Sequence, residues 1–143
     1  MPDMTIADLS RTMRRMDIAM LSTRHSTPEG DDIAVRPMSN NRDVDFDGDT
    51  WFFTTSDTTT VADIRKDPRV GVSYQDDAEN CYIALQGEAS LHTEREVQET
   101  HWKPELEKWF ENGLDTEGLT LIKVDAKRAH YWKGREEGEI VID

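Results

Sequence analysis

The sequence predicts a mainly β fold, an antiparallel sheet or barrel with flanking helices, and three observations predict it. Short runs rich in β-branched and aromatic residues recur before residue 93: DIAMLST, DIAVRPM, TWFFTT, RVGVSYQ and NCYIALQ. The stretches between them, STPEGDD, RDVDFDGD and DDAE, are built from turn formers. Only one short helical candidate, VADIRKD, interrupts the series, so the crossover helices that parallel strands need are missing.

Each element has its own local signal. Thr5 and Asp8 make a capping pattern, and Ile6, Leu9, Met13 and Met16 recur at helical spacing, which predicts an N-terminal helix reaching residue 16. Residues 17–23 and 32–38 predict a hairpin, 50–55 a third strand, and 69–75 with 80–86 a second hairpin. GEASLHT carries the last of these onward through Gly87, where a bulge is expected. Thr93 and Glu96 predict another cap, opening a helical segment over 93–113 with an apolar stripe of Val97, Trp102, Leu106, Trp109 and Phe110 and a kink at Pro104. LTLIKVD (119–125) and RAHYW (128–132) predict two closing strands, and 134–143 is an acidic tail with no element assigned. A length of 143 residues fits one domain, 1–143, around one core.

Thirty acidic against seventeen basic side chains give a net charge of −13, which repels nucleic acid and anionic membranes, so neither is an expected partner. The lone Cys81 lies in an apolar run and forms no intrachain disulfide, which suits a reducing, cytoplasmic setting. No run is long enough for a membrane span. Asp43, Asp45, Asp47 and Gly48 match the first half of a calcium loop, but Thr54 stands where the bidentate glutamate belongs, so no metal is expected there. Four scattered histidines carry no zinc spacing, and nucleophile-elbow, Walker and dinucleotide motifs are absent.

TTSDTTTVADI, residues 54–64, places five threonines and a serine ahead of a helix. Thr60 and Asp63 predict a capping box, in which the hydroxyls satisfy helix amides. The same residue types at a helix N-terminus can also hold a phosphate. Four tryptophans at 51, 102, 109 and 132 suit core or interface packing at least as well as stacking on a flat ring.

The order of DIAMLST, RPM, GDTWFFTT, the hydroxyl-rich turn into VADIRKDPRVGVSY, and CYIALQGEASL resembles the pyridoxamine 5′-phosphate oxidase-like superfamily. WKPELEKWFENG and LTLIKVDAKRAHYW are similar to its general-stress FMN-binding branch. The resemblance spans roughly residues 5 to 133 and implies an antiparallel, Greek-key-like FMN-binding split β-barrel, a homodimer with FMN as cofactor. It places flavin contacts at Arg36, Pro37, Met38 and Ser39, at Phe53 and Thr54, and at the phosphate-binding turn Thr58, Thr59 and Thr60. Trp132 is implied at the flavin edge or across the dimer interface.

The chain departs from the family at that turn, which usually carries one or two basic residues where threonines stand here; a charge-assisted hydrogen bond is about twice as strong as a neutral one. Smaller departures are Glu111 in place of a proline and His130 in place of an acid. The resemblance implies an FMN-dependent oxidoreductase with no side-chain acid or base required, Arg36 stabilising the reduced ring. The alternative is a non-enzymatic flavin-binding or sensing protein, which the missing basic residue favours. A further alternative for Arg36 is an ordinary ion pair with one of many carboxylates.

Overall fold

A computed structural model describes residues 4–40 and 46–142. Its elements are α1 (Ile6–Met13), β1 (Ile18–Thr27), β2 (Gly30–Ser39), β3 (Asp49–Thr55), α2 (Thr59–Lys66), β4 (Arg69–Asp76), β5 (Cys81–His92), α3 (Arg95–His101), β6 (Leu119–Lys133) and β7 (Glu136–Val141). Short 3-10 turns at Pro104–Lys108 and Gly113–Asp115 follow α3.

The strands form one antiparallel sheet in the order β2-β1-β4-β5-β6-β3, with β7 also on β6. Each of the two predicted hairpins is present and longer than the sequence suggests. The sheet curls around a core that includes Leu9, Leu21, Phe52, Val72, Ile83 and Val124. It does not close: β2 pairs only β1 and β3 pairs only β6 among the described strands, although the two approach within 8 Å Cα to Cα. This is a split β-barrel.

β6 organises the far side. One edge follows β5 along its length, whereas the other pairs β3 over Leu119–Asp125 and then β7 over Arg128–Lys133. The two closing strands expected from the sequence are therefore a single strand. Gln86 faces Arg128 and Gly87 faces Ala126, so the extra residue is Lys127 on β6, and Gly87 lies opposite the bulge on an otherwise regular β5. The inserted residue reverses which side chains face the core: Ile122, Val124 and Ala126 before it, Ala129 and Tyr131 after it. That loss of phase makes one strand look like two. The acidic tail is β7, a short edge strand held by this second half.

The capping box Thr5–Asp8 forms as expected, but α1 ends at Met13, and Met16 joins the core from beyond it. The Thr93–Glu96 box does not form; Glu94 is the cap residue and its side chain makes no capping bond. Helix α3 stops before Pro104, which accounts for the break inside the expected 93–113 segment. Val97, Trp102, Leu106 and Phe110 pack with Phe53, Leu119 and Leu121 in a second cluster outside the barrel, while Trp109 is exposed.

Candidate functional site

The residues singled out on β2 and β3 sit on the two terminal strands of the sheet, so they flank the seam where the barrel stays open. Alternation along β2 points Arg36 and Met38 inward and Pro37 outward; Met38 is buried, Ser39 half-buried and Pro37 exposed. Asn40, just beyond β2, anchors this end by donating from Nδ2 to the carbonyls of Met13 at 2.7 Å and Met16 at 2.9 Å. On β3, Phe53 turns into the second cluster, edge-on to Trp102 with centroids 5.2 Å apart. Thr54 leads into the turn, its hydroxyl 3.4 Å from that of Thr58.

The cap of α2 is Thr58, two residues earlier than the sequence predicts. Its Oγ1 accepts from Val61 N at 3.3 Å and donates to Thr55 O at 2.9 Å. Thr60 is a buried residue of the first turn and Thr59 is exposed. Asp63 is consequently not a capping partner. Its side chain, 5% exposed, faces the barrel and accepts from Thr23 Oγ1 at 2.8 Å and His25 Nδ1 at 2.8 Å.

Arg36 completes this group. Its Nη1 donates to Thr23 Oγ1 at 2.8 Å and Leu21 O at 3.3 Å, and its Nη2 reaches Asp63 at 3.4 Å. Burial pushes the Asp63 carboxyl up, but hydrogen bonds from His25 and Thr23, with the charge on Arg36, outweigh it and hold the group below the ordinary 3.8. The ion-pair alternative for Arg36 is thus present in the structure. The sequence offers Asp63 only as a capping partner and His25 only as one of four scattered histidines, and it does not single out Thr23. The available signal was their periodicity, since Thr23 and His25 share a strand face and Asp63 lies one turn beyond Thr60.

Trp132 is not part of this neighbourhood within one chain. It stands on β6, four strands from β2, stacked on His130 with centroids 4.2 Å apart. The pairing Pro37–Met20–Ser73–Ala84–His130 runs across the outer surface from β2 to β6. On that surface Ile18, Met20, Ile33, Val35 and Trp132 are between 37% and 68% exposed, a large apolar area for an uncovered sheet face. The remaining tryptophans serve packing in part: Trp51 stacks on His101 at 3.7 Å, and Trp102 fills the second cluster.

Asp43 and Asp45 of the calcium-loop pattern lie outside the described residues, and no cluster of potential metal ligands occurs among the described ones. No described helix is long and apolar enough to cross a membrane.

Comparison with known proteins agrees with this architecture. A protein related to general stress protein 26 from Clostridium acetobutylicum superposes with a TM-score of 0.83 at 19% identity, covering 96% of this chain and 94% of that one. The general stress FMN/FAD binding protein of Xanthomonas citri gives a TM-score of 0.74 at 22% identity, covering 96% and 94%. Protein bli-3 of Neurospora crassa is 25% identical over 137 residues, which span 90% of this chain and 65% of that protein. With the model of the "Pyridoxamine 5'-phosphate oxidase like" family matching residues 5–142, the order of strands and turns that suggested it is explained: the chain belongs to that family.

Proposed function

We propose that the chain is a general-stress-type flavoprotein that binds FMN along the β2–β3 seam, works as a cytoplasmic homodimer, and acts as an oxidoreductase through the bound flavin. The observation that supports this reading is the open seam between β2 and β3, the two strands that carry the residues expected to contact the flavin ring. The Xanthomonas citri neighbour, an FMN/FAD binding protein of the same fold, supports a flavin as the ligand class.

The residues fit the ring better than the phosphate. Free backbone edges at Arg36–Ser39 and at Phe53–Thr54 can donate to and accept from a flat heterocycle, and Phe53 fixes the second strand by packing. Thr58, Thr59 and Thr60 would lie at the phosphate end with the first amides of α2. A bound flavin supplies the electron-transfer chemistry; the protein positions it and controls access. Arg36 would contribute positive charge beside the ring, reduced by its contact with Asp63. The exposed apolar face supports a dimer, in which Trp132 of a second copy could approach the seam that it cannot reach in its own chain.

A non-enzymatic flavin-binding role is the second reading, favoured by the lack of any Lys or Arg in residues 54–60. Titration of the apo protein with FMN, followed by flavin fluorescence and absorption, tests the binding. Saturation near one FMN per chain is expected, and absence of binding at millimolar FMN would overturn the proposal. Rapid reduction of the bound flavin by a nicotinamide donor would decide for the oxidoreductase, and stable binding without turnover for the second reading.

A further inference from the structure

We propose that Asp63 sets the ligand preference of the seam by engaging Arg36 internally, so that the site selects a flavin by its ring and uncharged ribityl chain and gains little from a terminal phosphate. The inference rests on the flavin reading above and sharpens it.

Three observations carry it. First, the turn 54–60 holds hydroxyls and an acid, Asp57, but no basic side chain. Second, part of the hydroxyl set is already engaged: Thr58 donates to Thr55 O and accepts from Val61 N, and Thr55 donates to Asp57 at 2.6 Å, while Thr60 is buried and Thr59 exposed. Third, Arg36, the one basic residue among the expected contacts, points inward to Thr23, the Leu21 carbonyl and Asp63.

A phosphate entering here would meet the Asp57 carboxylate and a guanidinium shared with Asp63, in a protein of net charge −13. Like-charge repulsion opposes its double negative charge, and the amides of the first α2 turn are left as its donors with no cationic side chain in residues 54–60 beside them. The ribityl hydroxyls are uncharged and carry no such penalty. His25 strengthens the arrangement, because its Nδ1–H donates to the second Asp63 oxygen and orients the carboxylate toward Arg36.

The test compares riboflavin with FMN on the apo full-length chain by fluorescence titration. For the wild type the two dissociation constants should agree within about threefold, whereas one charge-assisted bond to the phosphate would separate them by about tenfold or more. Asp63→Asn removes the carboxylate that pairs with Arg36, which keeps its bonds to Thr23 and the Leu21 carbonyl, and should raise FMN affinity relative to riboflavin; an unchanged ratio of the two dissociation constants would overturn the inference. Thr59→Lys, at an exposed position, adds a cation to the turn without disturbing the buried group and should also favour FMN by about tenfold. Wild-type protein that binds FMN more than about tenfold tighter than riboflavin would overturn the inference while leaving the flavin reading intact. An unchanged preference in Thr59→Lys would likewise overturn it, since the phosphate end would then lie elsewhere. If neither flavin binds, the flavin reading itself is wrong and the inference falls with it.

Discussion

Replacing Gly87 by alanine should be among the most damaging single-methyl additions this chain can receive. A Cβ at Gly87 would lie 2.1 Å from the Asp125 carbonyl oxygen and 2.9 Å from the Ala126 Cα, both backbone atoms of β6. No rotamer change can relieve contacts of that kind. The strands must separate by more than about 1 Å beside the Lys127 bulge to restore ordinary contact, which sacrifices one or two ladder hydrogen bonds at about 1 kcal/mol each. Together with the backbone strain this gives about 3 kcal/mol of destabilisation, or roughly 10 °C in Tm for a chain of this size. Urea and thermal unfolding followed by circular dichroism would measure it. Gly71→Ala is the control, because its Cβ would lie 3.7 Å from Leu85 O and 3.9 Å from Ser22 Cβ, ordinary distances. A Gly87→Ala protein within about 0.5 kcal/mol of wild type would refute the placement of the bulge.

Three further outcomes are expected. Thr58→Ala should cost about 1 kcal/mol by removing the α2 cap, and Thr60→Ala should leave that cap intact; unfolding curves showing the reverse order would restore the cap to Thr60. Asp63 has a folded-state pKa below its ordinary 3.8, so its stabilising contribution is complete above that pH and drains away as pH falls through the lower folded value. The stability gap between wild type and Asp63→Asn should therefore narrow on acidification below 3.8, and a gap independent of pH would contradict the charge network. Val35→Asp, at the exposed apolar face, should convert the proposed homodimer to a monomer in sedimentation velocity; a dimer in both proteins would place the interface elsewhere, and a monomeric wild type would refute the proposed dimer.

The architecture was legible where local chemistry and long-range pairing agree. Both hairpins carry alternating apolar positions around turn formers, and the RPM, WFFTT and threonine segments kept the order that pointed to a split barrel. The reading failed where pairing overrides local signals. VDAKR looks like a polar break because Lys127 is an inserted residue, and only the unbroken neighbour β5 reveals β6 as continuous. REEGEIV carries too few apolar residues to declare a strand, yet β6 offers it a free edge. At the candidate site Arg36 could be singled out, but its partners could not, since Thr23, His25 and Asp63 come together only when α2 packs against β1.

The forked pairing of β6 bears on how the chain is made. β1 with β2 and β4 with β5 are neighbours in sequence and can zip as they leave the ribosome. β3, by contrast, finds its partner some seventy residues later, Asp49 opposite Asp125, and until then its WFFTT segment has no native strand beside it. Synthesis stalled or truncated before residue 119 would leave β3 and one side of β5 as open, apolar templates. The late strand is thus the point at which a sticky nascent chain becomes a folded one, and shortening the chain from its C-terminal end should produce insolubility abruptly once β6 is lost.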